Sequence, residues 1–133
     1  MAGGERLSDG PVRICASAEL EERGLAVLFD GLHFRQPARA FALRVDGTVV
    51  AYLNRCGHVP AELDWQPGEF WDAGRERLVC SIHGATYAPR TGACVGGPCR
   101  FGLLALEVRE RDGAVWWTPS GDVAPRPVEN GLQ

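Results

Sequence analysis

Apolar and polar positions alternate along several stretches of this chain, at the two-residue period of a half-buried strand. In GLAVLFDGLHF, residues 24–34, Leu25, Val27 and Phe29 share one face, which predicts a strand. FALRVDGTVVAYLNRC, residues 41–56, reads as two strands joined at Asp46-Gly47. Glycine accepts the positive φ that a tight hairpin turn demands. The second of these strands, Thr48 to Leu53, delivers the chain directly to Cys56. LLALEVRERDGAVWWTP, residues 103–119, repeats the scheme around Asp112-Gly113, and its adjacent Trp116 and Trp117 must point to opposite faces. PVRICASAELEERG, residues 11–24, opens as a strand and turns near Ser17. Between the two hairpins lies a long excursion, VPAELDWQPGEFWDAGRERLV, residues 59–79, whose last residues form a short strand reaching Cys80. The pattern is that of one β domain with a cysteine–histidine insertion between its hairpins.

Composition agrees. The 133 residues suffice for one domain with a real core and are too few for two. Seventeen glycines and nine prolines favour a turn-rich, mostly β architecture. A formal charge of −3 argues against a nucleic-acid partner, which needs a basic face. No apolar run approaches the roughly 18 to 20 residues of a membrane span, and the opening MAGGERLSDG has no signal-peptide pattern, so a cytoplasmic location is expected.

The five cysteines, at 15, 56, 80, 94 and 99, fit poorly with a secreted disulfide framework. Four of them fall between residues 56 and 99, where they accompany two of the three histidines. RCGHV sets Cys56 one residue from His58, and CSIH sets Cys80 two residues before His83. Two cysteines and two histidines can hold zinc in a tetrahedron. Zinc fingers, however, usually segregate the two residue types, whereas each pair here contains one of each. Such mixing suits a centre with two unlike metal positions, one iron taking both thiolates and the other both imidazoles.

The pairs in RCGHV and CSIHG, with Gly96-Gly97-Pro98 downstream, resemble those of Rieske iron–sulfur proteins, over roughly residues 11 to 118. The resemblance implies an all-β fold: a Rieske-like antiparallel β-sandwich with a small cluster-binding subdomain inserted between hairpins. It implies that Cys56 and Cys80 hold one iron of a 2Fe–2S cluster, that His58 and His83 hold the other, and that the Gly-Gly-Pro loop covers the cluster. The expected layout is a flexible N-terminus over 1–10, the Rieske domain over 11–119 with cluster-binding loops at about 54–100, and a flexible tail over 120–133. Three departures stand out. The spacer 59–79 is longer than the family's usual one. The positions of the disulfide that joins the two boxes in respiratory Rieske proteins are Ala61 and Ser81. Of the serine and tyrosine whose hydroxyls raise the potential there, this chain has Ala85 and Tyr87. The pattern is nearer to the ferredoxins that serve oxygenases. By resemblance, such a protein carries one electron from a flavin-containing reductase to an oxygenase or other oxidoreductase acceptor and is not itself an enzyme. A Rieske oxygenase α subunit also needs a mononuclear iron site, and His33 alone remains outside the motif. The alternatives are a small subunit or module of a larger oxidoreductase, and a zinc-stabilised interaction domain.

Other residues read more plainly. Gly57 and Gly84 permit tight loops whose backbone N–H groups aim at cluster sulfurs, and Pro60, Leu63 and Pro98 are expected as apolar shields. Cys94 and Cys99 either clamp the proline loop as a local disulfide or stay two thiols near the cluster; a fully cysteine-ligated cluster would leave both histidines unexplained. Cys15 and His33 are read as an ordinary buried thiol and a strand or loop imidazole. Trp65, Phe70 and Trp71 in the spacer either pack on the domain or form a docking surface.

Overall fold

The computed structural model describes residues 10–57 and 61–126. The remaining parts of the two termini, where flexible segments are expected, and His58 and Pro60 lie outside the described residues.

The strands follow in chain order: β1 (Val12–Ala16), β2 (Val27–His33), β3 (Gln36–Val45), β4 (Thr48–Leu53), β5 (Leu78–Val79), β6 (Thr86–Tyr87), β7 (Cys94–Gly96), β8 (Ala105–Arg111), β9 (Ala114–Thr118) and β10 (Val123–Ala124). One 3-10 turn, Ser17–Glu19, follows β1 near the predicted turn, and the Glu19 carboxylate accepts from the Ala16 N–H at 2.9 Å. Seven strands form an antiparallel sheet in the order β1-β9-β8-β4-β3-β2-β10, and β5-β6-β7 form a small second sheet. Both hairpins predicted at Asp-Gly turns are present. Asp46 and Gly47 have φ of 53° and 81°, Asp112 and Gly113 53° and 76°.

The large sheet curls so that its ends face each other across a common core. Trp117 on β9 and Val123 on β10 pack in one cluster with Leu53, and the rings of Phe29 on β2 and Trp117 lie 5.4 Å apart. Trp117 is buried and Trp116 partly exposed, as alternation requires. This is the sandwich expected, built from one continuous sheet folded over.

Three features differ from the expectation. A third hairpin joins β2 to β3 through Phe34-Arg35, both at positive φ (50° and 69°) without a glycine. Residues 120–126 are not wholly a loose tail, because Val123 and Ala124 pair with His33 and Leu32 and the Val123 side chain is buried. Capping that sheet edge buries an apolar side chain and satisfies strand N–H and C=O groups, which a tail in water would not do. The third is the spacer, which doubles back on itself: the Val79 N–H donates to the Phe70 carbonyl and the Asp72 N–H to the Arg77 carbonyl, each at 2.9 Å. Phe70 is fully buried and stacks on Phe41 at 3.7 Å, while the Trp71 indole N–H donates to the Gly24 carbonyl at 3.0 Å. The extra spacer length is therefore spent on core. Trp65 alone of the three aromatics stands in water.

Candidate metal centre

The loop that carries Cys56 grows out of β4. The Asn54 N–H still donates to the Arg39 carbonyl of β3 at 2.8 Å, and the Cys56 N–H donates to the Ala61 carbonyl at 2.7 Å, closing the loop beneath its tip. Asn54 carries the one buried side-chain amide among the described residues. Its amide oxygen accepts from the Leu63 N–H and its amide nitrogen donates to the Asp64 carboxylate, both at 2.9 Å. A buried amide satisfied on both sides fixes a loop as few apolar side chains can. Asp64 then accepts from the Gly68 N–H at 2.9 Å.

The second loop is a turn of the chain after β5. The Cys80 N–H donates to the Ala85 carbonyl and the Gly84 N–H to the Cys80 carbonyl, both at 2.8 Å, with Gly84 at φ 77°. The Ser81 N–H donates to the Leu63 carbonyl at 2.9 Å, tying this loop to the return of the first. Ala61 and Ser81, where a bridge between boxes would need two thiols, are thus linked by neighbouring backbone instead.

These constraints bring the donor atoms of Cys56, Cys80 and His83 within 4.8 Å of one another. The Cys80 sulfur and His83 Nδ1 are 3.7 Å apart. Both cysteines are buried and His83 is at the surface. Burial pushes the Cys80 thiol pKa up, and the backbone N–H groups of His83 and Ile82 act against that rise. These two amides belong to the tight turn that ends at Gly84, the kind of loop expected to turn N–H groups toward sulfur. Gly84 closes that turn, and the Gly57 N–H donates to the Tyr87 hydroxyl at 2.8 Å. The same hydroxyl lies 3.5 Å from the Cys56 sulfur, and burial, with Cys56 next in effect, raises the Tyr87 pKa. Gly57 is needed for space, since a Cβ there would collide with the Phe101 carbonyl oxygen.

The third loop resolves the two readings of Cys94 and Cys99. They form a disulfide, with Cα atoms 6.1 Å apart. Leu63 is fully buried in the core cluster that contains Cys56 and Cys80, whereas Pro98 is exposed. Cys15 is a buried thiol in a separate core cluster, and His33 lies against the Phe34 ring, both far from any ligand role.

The donor set fits an iron–sulfur centre better than a hard-cation site. Two thiols and an imidazole converge with no carboxylate among them, and thiolate sulfur selects zinc, copper(I) or iron–sulfur clusters. Amides aimed at a sulfur suit a group carrying negative charge there. The model of the Rieske 2Fe-2S domain matches residues 10–108, three quarters of the chain and both cysteine–histidine pairs. The chain belongs to the Rieske family. No curated protein matches this Rieske chain in sequence. Among solved structures it is similar to the ferredoxin of carbazole 1,9a-dioxygenase from Nocardioides aromaticivorans IC177, at 24% identity and a TM-score of 0.65, over 84% of this chain and 99% of that one. It is similar to a Sphingomonas yanoikuyae B1 ferredoxin at 25% identity and a TM-score of 0.61, over 83% and 99%. It also matches the terminal oxygenase of carbazole 1,9a-dioxygenase from Novosphingobium sp. KA1 at 25% identity and a TM-score of 0.65, over 93% of this chain but 34% of that one. The 2Fe–2S cluster is the cofactor that membership of the family implies, and the donor set accommodates it.

Of the four ligands expected from the sequence, Cys56, Cys80 and His83 are brought together here, and His58 lies outside the described residues. Sequence reasoning missed Asn54, whose signal was a polar residue at the end of an apolar strand, directly before the ligand loop.

Proposed function

We propose that this Rieske domain is a ferredoxin-type carrier, held to its cluster by Cys56, His58, Cys80 and His83, that moves one electron at a time between redox proteins. The observation that carries this reading is the asymmetry of the donors, with two buried sulfurs inside and an imidazole at the surface. When bound, a 2Fe–2S cluster with two imidazole ligands supplies a one-electron couple at about −150 mV or above, against about −400 mV for all-thiolate ligation. The chain's residues set the rest. The Ile82 and His83 amides and the Tyr87 hydroxyl stabilise added negative charge on the Cys80 and Cys56 sulfurs, which favours the reduced form. Fully buried Ala85, Leu63 and Tyr87 exclude water from the inner side. His83 presents its ring where a partner can reach it.

The acceptor in this reading is an oxygenase. A solved structure titled as a complex of reduced oxygenase and oxidized ferredoxin in carbazole 1,9a-dioxygenase is similar to this chain over 83% of its length and 94% of the other chain. The donor is a flavin-containing reductase, and a cytoplasmic location goes with that partnership. Among the described residues no helix is long and apolar enough to cross a membrane.

Anaerobic purification tests the reading. Red-brown protein with equimolar iron and acid-labile sulfide, reduced by a flavin-containing ferredoxin reductase and reoxidised by an oxygenase, is expected. A colourless protein containing zinc would replace it with the zinc-stabilised domain.

A further inference from the structure

The backbone of the covering loop lies directly on the second ligand loop. A Cβ at Gly97, which has φ 78°, would stand 2.7 Å from both the Ala85 Cα and the Gly84 carbonyl oxygen. A Cβ at Gly96 would stand 2.7 Å from the Thr86 hydroxyl. Such close approach needs the loop in one conformation, and two glycines are the residues that pay most entropy to be held in one. β7 meets β6 through Thr86↔Gly96 and Tyr87↔Cys94, with an irregular register between them, and no strand pairing extends beyond Gly96. Val95, Gly97 and Pro98 are exposed. The Cys94–Cys99 disulfide spans this segment end to end, with both cysteines packed against the core cluster that contains Cys56, Cys80 and Ala85.

We propose that Cys94 and Cys99 are positioning residues whose disulfide holds the Gly96-Gly97-Pro98 loop closed over the Cys80–His83 ligand loop. Their bridge secures the centre from one side, in a chain where Ala61 and Ser81 rule out a bridge between the ligand loops. This inference rests on the cluster reading above. A short closed loop removes open conformations that a linear loop would sample, and each opening exposes the ligand loop to water and chelator.

The test compares native protein with a Cys94→Ser/Cys99→Ser double variant, both anaerobic, following loss of visible absorbance under excess iron chelator and unfolding by far-ultraviolet circular dichroism. Bleaching about tenfold faster in the variant is expected, with a near-native circular dichroism spectrum at the outset. A redox titration adds a second readout, a shifted midpoint potential from the altered solvent access. Bleaching within twofold of native with an unchanged potential would overturn the proposal, as would alkylation of both thiols in native, freshly prepared protein. Should the variant fail to fold, the native protein is treated with a phosphine that reduces the bridge to two thiols and is itself oxidised to the phosphine oxide. Peptide mass spectrometry confirms opening, and faster bleaching is again the expected outcome, equal bleaching the contrary one. Absence of iron and sulfide from native protein would overturn the cluster reading itself, a result distinguishable from a stable cluster in bridge-free protein.

Discussion

At the scale of single residues, the groups that touch sulfur are the ones expected to tune the centre. Tyr87→Phe removes the hydroxyl 3.5 Å from the Cys56 sulfur and the acceptor for the Gly57 N–H. The midpoint potential is expected to fall by on the order of tens of millivolts, since a hydrogen bond to sulfur favours the reduced form. An unchanged potential in a redox titration would mean the hydroxyl serves the loop alone. His83→Cys, retaining a cluster, should lower the potential further because a thiolate adds a negative charge; an unaltered potential would remove His83 from the ligand set. The residue types and spacings of Cys56, Cys80 and His83 made them legible in the chain, because mixed cysteine–histidine pairs have few structural uses. The resemblance already singled out the Tyr87 hydroxyl; what only the fold supplies is the atoms it meets, the Cys56 sulfur and the Gly57 N–H. Nor did the sequence say which amides of the Gly84 turn act on the Cys80 sulfur, a part taken by those of Ile82 and His83.

Among elements, legibility followed turn chemistry. Asp46-Gly47 and Asp112-Gly113 announced their hairpins, but Phe34-Arg35 adopts the same positive φ values without glycine, so the β2–β3 turn left no mark in composition. β6, β7 and β10, at two or three residues each, are too short for alternation to show. The spacer's burial depends on Phe70 meeting Phe41, residues brought together only by the fold. Phe70→Ala should cost about 3–5 kcal/mol in denaturant unfolding. A loss under about 1 kcal/mol would place the spacer outside the cooperative core. Asn54→Ala leaves the buried Leu63 N–H and the Asp64 carboxylate without their partner. About 1–3 kcal/mol of stability should go, together with faster cluster loss; unchanged stability with unchanged cluster lifetime would refute its part in fixing the first loop.

For the whole molecule, charge pairs join distant parts of the sheet. Arg44 on β3 holds Glu110 on β8 at 2.7 Å and lowers its carboxyl pKa from the ordinary 4.5. Arg23 likewise lowers that of Asp46, at the β3–β4 turn. A carboxyl whose pKa is depressed on folding stabilises the protein above its unfolded value and loses that contribution as pH falls through the folded one. Thermal stability should therefore be level from neutrality to about pH 5 and decline below about 4.5. Arg44→Met should lower the melting temperature at neutral pH and make the acid decline shallower; an identical acid slope would assign the decline to other carboxylates. These pairs hold the frame on which two ligand loops and a bridged third loop converge. Whether that frame grips iron through nitrogen as well as sulfur is decided by electron paramagnetic resonance of the dithionite-reduced protein, prepared with and without isotopically labelled histidine. Hyperfine coupling to two histidine nitrogens, altered by the label, is the predicted result. A cluster signal without histidine coupling, or no iron signal at all, would contradict the ligand set and the electron carrier built on it.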